Sequence, residues 1–228
     1  MPNGNARWVR DAETIVDQLA ETGMDITIEV MYANNSVETQ YASVEHFIAE
    51  EVDCLVIACV DPYSLTDLLE EAEAAGIPVI AYDRLPMNTD AVSYYTTFDN
   101  RAVGVLQGEY IVDAVLASND STAMGVTNAL TAFGMSDYVL TGQDCDLEAV
   151  RNIVSGTQSM SVFKDSGIMA RHTAQMVLDI VSGQEPEIND TATYSIPSYL
   201  CLPTVVTADN YEELLIDSGY YTKAEILG

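Results

Sequence analysis

Hydrophobic and polar positions follow two periods along this chain. Ala12, Ile15, Val16 and Leu19 recur at helical spacing over 10–22, and Gly23 supplies a stop. ITIEVMYA (26–33) predicts a strand, after which Val37, Tyr41, Val44 and Ile48 return to helical spacing. CLVIACV (54–60) predicts a fully apolar strand. Ser64 and Asp67 give a capping-box-like start to a helix at 65–75, stopped by Gly76. IPVIAYD (77–83) and VSYYTTF (92–98) predict strands, and a helix follows at 100–110.

The second half repeats the alternation. Strands are expected at 112–118, 138–142 and 157–163, and helices at 121–133, 146–155 and 166–182. Gly134, Gly156 and Gly183 end those helices. Apolar strands alternating with amphipathic helices predict an α/β fold with parallel sheets covered on both faces. From 184 the period breaks at Pro186, Pro197 and Pro203, which predicts an extended crossover with one or two short strands. A short helix and a frayed end are expected over the last residues.

Charge changes the picture next. The 228 residues hold 36 acidic and 8 basic side chains, a net charge of −28. So acidic a surface argues against nucleic acid and anionic membranes as partners. The 48% hydrophobic content argues against disorder. No apolar run reaches membrane-spanning length, and MPNGNARWVRDAE has no signal-peptide core. Cys54, Cys59, Cys145 and Cys201 form no CxxC pair or zinc spacing and read as buried thiols. Cys54 and Cys59 should face opposite sides of a strand. No phosphate loop, nucleophile elbow or catalytic histidine arrangement occurs, so neither enzyme chemistry nor a cofactor or metal is expected. His46 and His172 read as surface or packing residues.

Ligands of open α/β sheets bind beyond the carboxyl ends of the strands. Those ends read VDP (60–62), YDR (82–84), FDN (98–100), SND (118–120), GQD (142–144) and FKD (163–165). Helix capping accounts for many of these Asp and Asn residues, with Asn100 and Asp146 the best cap candidates. It does not account for Arg84 and Lys164, since a cation at a helix N-terminus opposes the macrodipole. Cationic donors interleaved with Asp and Asn acceptors suit a neutral polyhydroxylated ligand, a sugar. Trp8, the single tryptophan, could cover the apolar face of a sugar ring or simply pack at a helix start.

VIAYDRLPMNTDAVSYYTTFDNRAVGVLQ (79–107), ASNDSTAMGVTNAL (117–130), LTGQDCDLEAVRNIVSGTQSMSVFKD (140–165) and the tail from GQEPEINDT to TVVTADNY resemble the type I periplasmic sugar-binding proteins of ABC transporters. The likeness is to the xylose-binding and multiple-sugar-binding branch. ARW (6–8) matches that branch's ERW-type motif with Ala6 in place of the acid. The resemblance implies two α/β lobes holding a sugar, the N-terminal lobe formed by 1–110 plus 162–188 and a truncated C-terminal lobe by 111–161 plus 189–228. It implies ligand contacts from Arg7, Trp8, Asp83, Arg84, Asn119, Asp144 and Lys164. It also implies a monosaccharide ligand (aldopentose or aldohexose), an ABC-transporter permease as partner and a periplasmic or extracytoplasmic location.

The sequence departs from that pattern twice. The strand expected ahead of ARW is missing, and GVLQGEYI runs straight into VDAVLASND. No Gly, Pro or Asn punctuates 109–113, where a connection of about 2–6 residues is usual. The absent block would carry further ligand residues, an Asn and an aromatic among them. Two other readings stay open: a truncated relative with impaired or no sugar binding and apolar sheet edges exposed, and a sugar-sensing effector domain.

Overall fold

Asn5 accepts a hydrogen bond from the Trp8 N–H (3.2 Å) and so starts helix α1, Ala6–Glu21. The structure, a computed structural model, describes residues 1–100, 102–103 and 114–228. Most of the expected helix at 100–110, Arg101, the 109–113 junction and the start of the expected strand at 112–118 lie outside those residues. The described residues divide into two compact units, Met1–Phe98 with Ser166–Cys201, and Asp99–Asp165 with Leu202–Gly228.

In the first unit, α2 (Val37–Ala49), β1 (Leu55–Ile57), α3 (Thr66–Ala74), β2 (Val79–Tyr82) and β3 (Tyr94–Phe98) follow α1. The sheet is parallel in the order β1-β2-β3-β7, where β7 is Ser198–Cys201. Alternation along β2 divides the core. Val79 and Ala81 pack with Val44, Leu68 and Leu69 of α2 and α3. Ile80 and Tyr82 pack with Ile15 and Leu19 of α1 and with Met169 and Ala174 of α6 (Ser166–Val181). Cys54 and Cys59 fall into the two opposite layers, as the strand period requires.

In the second unit, β4 (Ala114–Leu116), α4 (Asp120–Ala132), β5 (Val139–Gln143), α5 (Leu147–Ser155) and β6 (Met160–Phe163) precede β8 (Thr204–Val206). The sheet order is β4-β5-β6-β8, parallel except for β8. Val150, Ile153, Phe163 and Val206 form its larger core with Leu215 of a π-helical turn (Glu212–Asp217) and Ile226 of α7 (Lys223–Leu227).

Several expectations need correcting. Residues 26–33 form no strand; their backbone bonds include Met1 N to Met31 O (2.8 Å) and Ala33 N to Met1 O (3.0 Å), with local bonds from Ile26 N to Met24 O and from Ser36 N to Ala33 O. Between this segment and β1 lies a cavity of about 420 Å³, lined by Ile28, Val30, Leu55 and Val56 among others, so no strand among the described residues lies there to pair with. The lobe boundaries also move. Residues 189–201 belong to the first unit because β7 pairs with β3, Tyr95 opposite Ser198, and 162–165 belong to the second because β6 pairs with β5 and β8.

Caps differ as well. Leu65 precedes α3 without a side-chain cap, and the Asp67 carboxylate instead accepts from the Tyr41 hydroxyl (2.7 Å). Asp99 rather than Asn100 accepts from Ala102 N (2.9 Å), and Asp146 stands at the α5 N-cap without a side-chain cap bond. The chain end is not frayed: Thr222 and Glu225 form a full capping box, and Ile226 is buried. Among the described residues, no helix is long and apolar enough to cross a membrane.

Candidate functional site

In the first unit the expected site residues meet in one cluster; in the second, Asp144 pairs with Lys164 while Asn119 stands at the start of α4. In the first, α1 presents Arg7 and Trp8 while the turn after β2 presents Asp83 and Arg84. The N–H of Asp83 donates to Thr96 O (2.8 Å), which bends the chain off the sheet at a left-handed φ of 62°. Asp tolerates that conformation better than most residues, yet it still stores strain of about 1–3 kcal/mol. The Tyr95 hydroxyl donates to the Asp83 carbonyl (3.0 Å) and fixes the turn from β3.

The Arg7 guanidinium meets the Asp83 carboxylate at 2.9 Å and the Asp11 carboxylate at 3.6 Å. Burial works against its charge, but the two carboxylates prevail and hold its pKa above the usual value. Asp11 is fully buried, and its pKa is pushed up by burial against the opposing effects of Ser166, Arg7 and Tyr82. Arg84 donates to Cys59 O (3.3 Å), tying the turn to the end of β1. Its guanidinium carbon lies 5.4 Å from the Trp8 ring centre, and that of Arg7 lies 4.6 Å away. Trp8 itself is only 3% exposed and packs edge-on against Tyr82 (6.4 Å). It is a core residue carrying two guanidinium groups rather than an open platform.

The second unit repeats the device. Asp144 follows β5 as Asp83 follows β2, again with a left-handed φ, here 97°. Its N–H likewise donates to the neighbouring strand, at Val162 O (2.9 Å). Its carboxylate pairs with Lys164, just beyond β6, at 2.7 Å. Asn119 is the N-cap of α4: its Oδ1 accepts from Thr122 N (2.9 Å) and from the Thr122 and Ser121 hydroxyls. Its amide nitrogen has no partner among the described residues.

Sequence reasoning missed the supports beneath both clusters. Asp11 sits one helical turn after Arg7, a spacing that could have flagged it. Asp120, next to Asn119, is buried at 2% exposure and accepts from Asp146 N, Ser161 Oγ and Gln158 Nε2. The histidines lie elsewhere, His172 stacked on Tyr199 and His46 beside Glu29. No group of acidic, Cys or His side chains among the described residues could hold a metal. What the clusters offer is balanced charge: directional donors from Arg and Lys beside carboxylate acceptors, with little net field.

Comparison with known proteins gives this chemistry a setting. A family model described as a periplasmic binding protein domain matches residues 1–114 and again 112–185. The break between the two matches falls beside the unpunctuated junction at 109–113. The multiple sugar-binding periplasmic protein SbpA of Azospirillum brasilense is 30% identical over 97% of this chain and 88% of its own length. That alignment runs over 316 positions against 228 residues here, so it opens gaps in this chain. The D-xylose-binding periplasmic protein of Escherichia coli is 28% identical over 96% of the chain and 88% of its own length. Among solved structures, an ABC transporter solute binding protein from Clostridium phytofermentans with bound β-D-glucose matches with a TM-score of 0.87 and 36% identity, covering 99% of this chain and 98% of that one. This α/β chain, with its parallel sheets and shortened sequence, therefore belongs to the periplasmic binding protein family, among sugar-binding solute-binding proteins of ABC transporters.

Proposed function

We propose that the chain binds a monosaccharide, an aldohexose or aldopentose, through Arg7, Asp83 and Arg84 of the first unit and Asn119, Asp144 and Lys164 of the second. Trp8 acts as the apolar base on which the two guanidinium groups are set. The chain then serves an extracytoplasmic ABC importer by handing that sugar to its permease, and it performs no chemistry on it.

One observation carries this reading. In a chain of net charge −28, a cation in each unit is paired with a carboxylate at close range, Arg7 with Asp83 and Lys164 with Asp144. Hydroxyls both donate and accept, so such paired groups match a neutral sugar, whereas a phosphate or carboxylate ligand would need surplus positive charge. The sugars named for the relatives, β-D-glucose and D-xylose, are the first to test.

A charge-assisted hydrogen bond contributes about 1.5–3 kcal/mol, roughly 10- to 100-fold in affinity. Titration of D-glucose, D-xylose, D-galactose and L-arabinose, followed by Trp8 emission, should show a saturating change with at least one of them. Arg84→Ala should weaken that response by at least tenfold. No spectral or thermal response to any of the four would end the reading for this chain, and an unchanged response in Arg84→Ala would remove that residue from the site.

A further inference from the structure

We propose that Asp120 is a positioning residue: its buried carboxylate, together with Ser161, holds the 144–146 turn and through it sets the Asp144–Lys164 pair for the ligand. The proposal rests on the sugar-binding reading for its ligand consequences, but its geometry stands on its own.

Three consecutive N–H groups of the turn have dedicated acceptors. Asp144 N donates to Val162 O (2.9 Å), Cys145 N to Ser161 Oγ (3.1 Å) and Asp146 N to Asp120 Oδ2 (2.8 Å). Asp144 and Cys145 both hold left-handed φ values, 97° and 53°, which non-glycine residues keep only when the surroundings fix them. Ser161 links the two anchors, since its hydroxyl donates to Asp120 Oδ1 (2.8 Å) while accepting from Cys145 N. Gln158 donates to the same Oδ1 (3.1 Å). Asp120 thus faces donors on both oxygens, which only the ionised carboxylate accepts fully.

The fold also reserves the space. A Cβ on Gly142 would stand 2.1 Å from Asp120 Oδ1 and 2.7 Å from Gln158 Nε2, so β5 needs glycine at that point. The titratable and charged groups around Asp120 are Asp144, Cys145 and Asp146 of the turn, with Lys164 beyond β6 engaged by Asp144. Gly142 from β5, Gln158 and Ser161 carry no charge. Burial raises the Asp120 pKa to about 7, hydrogen bonds from Ser161, Asp146 N and Gln158 oppose that rise, and the Asp146 charge adds to it. The turn is therefore held best above neutral pH and loosens as Asp120 takes up a proton.

Amide hydrogen exchange of the unliganded protein tests the anchor without any sugar. In Asp120→Asn, the Asp146 amide should lose at least tenfold of its protection while Leu140 and Val162, in β5 and β6, keep theirs. In the wild-type protein, Asp146 protection corrected for intrinsic exchange should fall as pH drops from 8 to 6. Calorimetric titration with D-glucose should show affinity rising over the same range in the wild type. In Asp120→Asn it should be at least tenfold weaker and flat with pH. Should Asp120→Asn not fold, Ser161→Ala is expected to release the Cys145 amide in the same way. Unchanged protection at 145 and 146 in the variants, or pH-independent protection in the wild type, overturns the proposal. So does equal affinity in wild type and Asp120→Asn. A wild-type protein that binds no D-glucose or other sugar removes the ligand reading alone, and the exchange result still decides the role of Asp120.

Discussion

A few carboxylates do most of the organising at the scale of single residues. Arg7 sits between Asp83, in the turn after β2, and Asp11, which is fully buried. Arg7→Met would keep the aliphatic stem and leave Asp11 buried without its cation. Breaking a pair with one buried member is expected to cost about 1–3 kcal/mol, less than a fully buried pair because Arg7 is partly exposed. The Asp11 pKa is already raised by burial, and losing Arg7 raises it further, so the deficit should be greatest at high pH and shrink as acid protonates Asp11. Thermal melts of both proteins between pH 5 and 8 check this, and a deficit that ignores pH would contradict it.

The residues that face outward from strand ends were legible in the sequence because Arg84 and Lys164 broke the capping pattern and their neighbours could be carried over by motif. Asp11 and Asp120 were not legible. Each is one acid among 36, and only packing separates a buried carboxylate from a solvated one.

Elements were legible wherever a long apolar or amphipathic run met a clear stop. The helix ending at Gly156 and the strand at β5 follow their pattern to within a residue or so. Failures came where an element depends on a neighbour. Residues 26–33 have a strand's composition but no strand beside them, and the sheet of the first unit ends at β1. β7 has no local signal for which sheet it joins, and its pairing with β3 is a long-range choice.

Edges carry a cost of their own. Among the described residues β4 ends the sheet of the second unit, with Leu116 half exposed, and Phe133 (83%) and Met135 (53%) stand out after α4. Apolar edges invite pairing between chains. Sedimentation at rising protein concentration should show self-association that Leu116→Lys reduces. Equal association in both proteins would place the sticky surface elsewhere.

At the scale of the whole molecule, the −28 charge is mostly a solvated surface around balanced clusters. It also makes stability sensitive to pH in a way one buried group can be separated from. Asp120 has a folded pKa of about 7, above the value near 3.9 usual for an exposed Asp. Its contribution to stability is therefore fully present below about pH 4 and is lost as pH rises through about 7. Each pKa unit corresponds to about 1.4 kcal/mol. The difference in melting temperature between wild type and Asp120→Asn isolates that contribution. It should move against the wild type as pH rises from 5 to 8, and a constant difference would mean that Asp120 does not titrate in this window. Ligand binding and stability are then expected to favour opposite sides of neutral pH.

Binding itself is the central claim, because a family fold with a shortened sequence can retain its clusters without joining them into one site. Isothermal calorimetry of the purified chain with D-glucose and D-xylose at pH 8 measures it directly. One sugar per chain, with at least tenfold loss in both Asp83→Ala and Lys164→Met, is the predicted result, since it requires groups from each unit. A titration with no saturating heat for either sugar, or affinity untouched by either substitution, would contradict the account.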